Sequence, residues 1–84
     1  MTPVNVARTL DLTHSEEECG DTALSLVRRA LKELAPGDVL EVQATVAEHA
    51  FVVRAWARKT GKPVLEDTTE GKLTRILVQQ TADG

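Results

Sequence analysis

Tyrosine is absent from this chain, and Phe51 and Trp56 are its only aromatic residues. A core built from it must therefore come from Leu, Val, Ile and Ala. There is one cysteine, Cys19, so no internal disulfide can form. No stretch approaches the roughly 18 apolar residues of a membrane span. The opening Met1-Thr2-Pro3-Val4-Asn5-Val6-Ala7-Arg8 lacks an apolar signal-peptide core, which makes the reducing cytoplasm the expected compartment. Positive charge is also in the minority. Lys and Arg number 10 against 13 Asp and Glu, a formal net charge of −3. General attraction to nucleic-acid phosphates is not expected from that balance, and no polybasic run suits an anionic membrane. The glycines at 20, 37, 61, 71 and 84 are isolated, which excludes a Gly-rich phosphate loop. His14 and His49 match no zinc-binding spacing with Cys19, and read as ordinary polar residues. Ser15 and Ser25 lack the glycine signature of a serine nucleophile. No metal and no cofactor are expected.

What remains suits a small folded domain. The 84 residues leave room for one compact unit, residues 1–84, with a core over about 6–81. Hydrophobic residues at 42% supply enough aliphatic material to argue against disorder. Residues 6–12 read as a strand, with Leu10 and Leu12 on one face and Thr9 and Asp11 on the other. The polar run 13–20 reads as a loop. Over 21–35, Ala23, Leu24, Val27, Ala30, Leu31 and Leu34 recur at helical spacing, opposite Ser25, Arg28, Arg29, Lys32 and Glu33. Pro36-Gly37 ends that helix. A second strand is expected over 38–45 and a second helix over 46–60, closed by Gly61. Strands over 63–69 and 72–81 follow, joined at Glu70-Gly71. The order β-α-β-α-β-β predicts an α/β two-layer sandwich. Its mixed four-stranded sheet should carry both helices on one face.

Cys19 is the main candidate for chemistry. It ends a polar loop just before the first helix, where unpaired N–H groups and partial positive charge can stabilise a thiolate. Gly20 leaves the adjacent backbone uncovered, and Asp21 or Thr22 can cap the first turn. Position alone equally admits an inert, buried thiol. Glu16, Glu17 and Glu18 precede Cys19, and their negative charge works against a thiolate unless water screens it. They are either solvated loop charge or an acidic rim for a basic partner. In the second helix Ala50, Val53 and Ala57 form one apolar line with Trp56 at its edge. Phe51, Val52 and Ala55 are then turned at least partly outward, as extra burial or as a contact surface. Arg54 and Arg58 are solvent-facing or available to a partner carboxylate.

Several segments together resemble the TusA/SirA-like sulfurtransferase family. They are Leu10-Asp11-Leu12, Cys19-Gly20-Asp21, the run from Leu26 through Ala35-Pro36-Gly37-Asp38-Val39-Leu40-Glu41-Val42, and Arg54-Ala55-Trp56-Ala57-Arg58-Lys59-Thr60-Gly61. The resemblance covers about residues 8–80. It implies a two-layer sandwich similar to the C-terminal domain of translation initiation factor three. It also implies a cysteine that carries persulfide sulfur from a donor, of the cysteine desulfurase or rhodanese type, to an acceptor protein. The family places that cysteine in a Cys-Pro-x-Pro motif. Here the run is Cys19-Gly20-Asp21-Thr22, a Cys-Gly-Asp variant without either proline. Glycine in place of proline loosens the backbone beside the thiol. The competing expectation is a protein-interaction or regulatory module that keeps the fold without transferring sulfur. RNA binding, known on related architectures, is disfavoured by the charge.

Overall fold

The computed structural model describes residues 6–13 and 20–81. Six elements follow in the expected order: β1 (Val6–Asp11), α1 (Gly20–Lys32), β2 (Val39–Ala44), α2 (Ala47–Thr60), β3 (Val64–Glu70) and β4 (Leu73–Gln79). They form one four-stranded sheet in the order β1-β2-β4-β3. β1 and β2 run parallel, while β4 is antiparallel to both β2 and β3. The last strand therefore inserts beside β2 in the middle of the sheet, and β1 and β3 become its edges.

Alternation along the strands decides where the core lies. Leu40, Val42 and Ala44 of β2 and Ile76 and Val78 of β4 pack with Ala23, Val27, Ala30 and Leu31 of α1 and with Ala50 and Val53 of α2. Both helices thus cover one face of the sheet, as the amphipathic stripes require. Leu24 and Leu34 were expected inside the α1 stripe but are only half-buried. α1 is also shorter at its end than its apolar spacing suggests. After Lys32 the chain tightens: the Glu33 and Leu34 N–H groups donate to the carbonyls of Ala30 and Leu31, three residues back. The Asp38 carboxylate then accepts the Ala35 N–H at 3.1 Å. α2 closes on Gly61, whose φ of 75° is left-handed. The Gly61 and Lys62 N–H groups return to the carbonyls of Arg58 and Ala57, a Schellman-type cap.

β1, β2 and β3 point the same way, and each helix runs back from the end of one strand to the start of the next. α1 and α2 are therefore parallel to each other. Their first turns share one end of the molecule and their last turns share the other. The bidentate pair of Arg54 with Asp67, at 2.6 and 2.9 Å, ties α2 to the edge strand β3.

Candidate functional site

Cys19 and the glutamates 16, 17 and 18 lie outside the described residues, as does His14. The three positions expected to support the cysteine are contiguous in the first turn of α1, which starts at Gly20 and continues through Asp21 and Thr22. Thr22 is exposed. The first N–H groups of a helix have no partner four residues back, so this turn offers donors to whatever precedes it.

Phe51 and Val52 lie on the outer side of α2. Phe51 is 68% exposed, a large value for an aromatic side chain. Val52 is half-buried against the core. With Leu24, Ala55, Trp56 and Lys59 they line an apolar groove of about 280 Å³ between the helices. Leu24 joins the two parts of the candidate site. It lies four residues past the start of α1, about 6 Å along the axis. The α1 side of the groove therefore lies roughly one turn from Gly20, the first residue of α1.

Sequence comparison gives a relative in Bacillus subtilis. The protein named "Putative sulfur carrier protein YrkI" is 34% identical over 53 residues, spanning 63% of this chain and 71% of that protein. The chain belongs to the sulfur-carrier family. No family model matches it. The fold and the helix that follows the lone cysteine thus sit within a family of sulfur carriers. Among the described residues, no helix is long and apolar enough to cross a membrane.

Among the described residues, five polar residues are buried that the sequence reading did not anticipate, and three of them, His49, Glu41 and Lys62, are titratable. His49, expected to be an ordinary polar residue, is fully buried in the first turn of α2, at the end of the molecule where α1 also begins. Its place beside Ala50 on the inward line of α2 was the available signal, since i and i+1 both face inward where a helix sinks deeply. Glu41 alternates with Leu40 and Val42 along β2 and points away from the helices, yet it is only 7% exposed. It is covered because β4 lies next to β2. Arg75 pairs with its carboxylate, with Nε at 2.7 Å, and Gln43 and Thr9 donate to it at 3.1 and 3.2 Å. Burial alone would push the Glu41 carboxyl up, but the hydrogen bonds and the charge of Arg75 outweigh it and hold it below its usual range. Lys62, just past α2, is 6% exposed. Its Nζ donates to Gln80 Oε1 at 2.9 Å and Thr81 Oγ1 at 3.2 Å, and lies 5.9 Å from the centre of the Trp56 ring. Arg58 stays exposed, whereas Arg54 is committed to Asp67 and is not available to a partner carboxylate.

Proposed function

We propose that this chain is a cytoplasmic persulfide carrier of the TusA/SirA-like kind, with Cys19 as the sulfur-bearing residue. The observation that carries the reading is that the only cysteine in a member of the sulfur-carrier family immediately precedes the first residue of α1. A helix start favours negative charge, so it favours both a thiolate and a terminal persulfide anion at that position. In the transfer, the Cys19 thiolate attacks the outer sulfur of a donor persulfide. The donor S–S bond breaks, the donor cysteine leaves as a thiolate, and Cys19 now holds the outer sulfur. An acceptor thiolate repeats the exchange on Cys19, so the two steps involve no net oxidation. The donor is a cysteine desulfurase or a rhodanese-type protein. Phe51 and Val52 offer an apolar contact within reach of the first turn of α1, and Glu16, Glu17 and Glu18 offer an acidic rim. Gly20, Asp21 and Thr22 shape the approach to the sulfur.

The test is intact-protein mass spectrometry after incubation with a cysteine desulfurase and cysteine. Wild type gains sulfur and Cys19→Ser gains none. No gain on wild type, or equal gain on both, rejects the reading.

The absent prolines and the three glutamates favour one alternative, an interaction or regulatory module that has kept the fold and lost transfer. It predicts a Cys19 thiol that reacts no faster than a free cysteine, whose pKa is about 8.5. Rapid alkylation at about pH 6 excludes it.

A further inference from the structure

At the opposite end of the helices from their first turns, the last turns of α1 and α2 line a cleft of about 350 Å³. That volume lies within the roughly 300–1,000 Å³ range of small-molecule sites. Its polar lining includes Arg28, Lys32, Lys62, Thr60, Gln80 and Thr81, with Trp56 as one wall, and among the described residues no carboxylate lines it. This is an unusual grouping in a chain of net charge −3. Three arginines elsewhere in the fold are matched: Arg8 with Glu33, Arg54 with Asp67 and Arg75 with Glu41. Arg28 and Lys32 are exposed and form no ion pair among the described residues.

Lys62 is the decisive member. Its ammonium is held in place by Gln80 and Thr81, both neutral, and by the Trp56 ring. Gln80 is itself fixed, since its amide donates to the Leu31 carbonyl at the end of α1. An ammonium has three donors, and two are used here. Among the described residues no carboxylate neutralises this buried charge. Helix C-termini do attract cations, but each contributes only roughly −0.5 of a charge, so two of them leave the three cations mostly unbalanced.

We infer that this cleft is a binding site for a small phosphate-bearing anion. A phosphate dianion would supply the missing charge, accept the remaining Lys62 proton, and meet Arg28, Lys32 and the Thr60 and Thr81 hydroxyls. Arg28 and Lys32 lie 8 and 12 residues past the start of α1, about 12 and 18 Å along its axis. The site is therefore separate from Cys19 and does not depend on the sulfur-transfer reading.

The experiment titrates the ¹⁵N-labelled full chain with inorganic phosphate against chloride at matched ionic strength. The Trp56 indole and the Lys62, Gln80 and Thr81 amides are followed by NMR. Saturable shifts with half-saturation at about 1 mM or below are expected. The Arg28→Gln/Lys32→Gln double variant, which alters two exposed side chains, weakens binding at least about tenfold. Cys19→Ser binds as wild type does, which keeps this site distinct from the sulfur chemistry. Four results would overturn the inference: shifts without saturation, equal shifts with chloride, an unchanged curve in the double variant, or loss of binding in Cys19→Ser.

Discussion

Glu41 shows how one side chain can join two distant parts of the chain. It lies on the sheet face that no helix covers, yet its carboxylate is enclosed by Arg75, Gln43 and Thr9 from three strands. Its pKa is held down in the folded state, where burial acts upward and the Arg75, Gln43 and Thr9 contacts act downward more strongly. A depressed carboxyl stabilises the fold fully at pH values above its unfolded value of about 4.3, and that contribution is lost as pH falls through the lower folded value. Glu41→Gln should therefore destabilise the protein by about 1 kcal/mol at neutral pH. The gap between the variant and wild type should narrow as the pH drops to about 3. Urea unfolding of both proteins at the two pH values measures this, and a gap that widens on acidification contradicts the assignment. The alternation of Leu40, Val42 and Ala44 with Glu41 and Gln43 is visible in the sequence, and it sets which way Glu41 points. Its burial was not legible, because Arg75 is 34 residues away and reaches it only through strand pairing.

At the level of elements, the helices and strands were readable because each depends on nearby residues. The apolar line Ala50, Val53 and Ala57 is buried as its spacing requires, and Phe51 and Ala55 turn outward. Ends were less legible than interiors. α1 stops at Lys32, and beyond it the Asp38 carboxylate, not a helix carbonyl, accepts the Ala35 N–H. The hairpin turn falls at Gly71-Lys72 with Gly71 at a φ of 60°, one residue later than Glu70-Gly71 suggested. Gly61 gives a prediction at this scale. It holds a left-handed conformation at the end of α2, and a Cβ there would meet no atom within 4 Å. Gly61→Ala should then cost about 1–2 kcal/mol purely from backbone conformation. Thermal unfolding checks it. An unchanged midpoint would mean the cap does not need the left-handed geometry.

For the whole molecule, the strand order concentrates stability in the middle of the sheet. β4 is flanked on both sides, and Ile76 and Val78 are fully buried beneath the helices. Every residue of β3, by contrast, is exposed. Ile76→Ala should cost about 2–5 kcal/mol, a large part of the roughly 4–13 kcal/mol available to a domain of this size. A urea midpoint close to that of wild type would argue against a core centred on β4. The same organisation arranges two surfaces along the helices. The parallel helices place the start of α1 at one end and the basic cleft at the other, and the Phe51 groove runs along α2 between them to Trp56, which lines both.

The sequence by itself determined the elements, their order, the two-layer architecture and the single candidate nucleophile. Those follow from periodicity, turn residues and a lone cysteine, all of which are local properties. Only the tertiary structure decided that β4 lies next to β2, that Glu41, His49 and Lys62 are buried, and that Arg28, Lys32, Lys62 and Thr81 surround one cleft. These depend on contacts between residues far apart in the chain. Local spacing shows which way a side chain faces within its own element, but what covers it is set by the packing of the others.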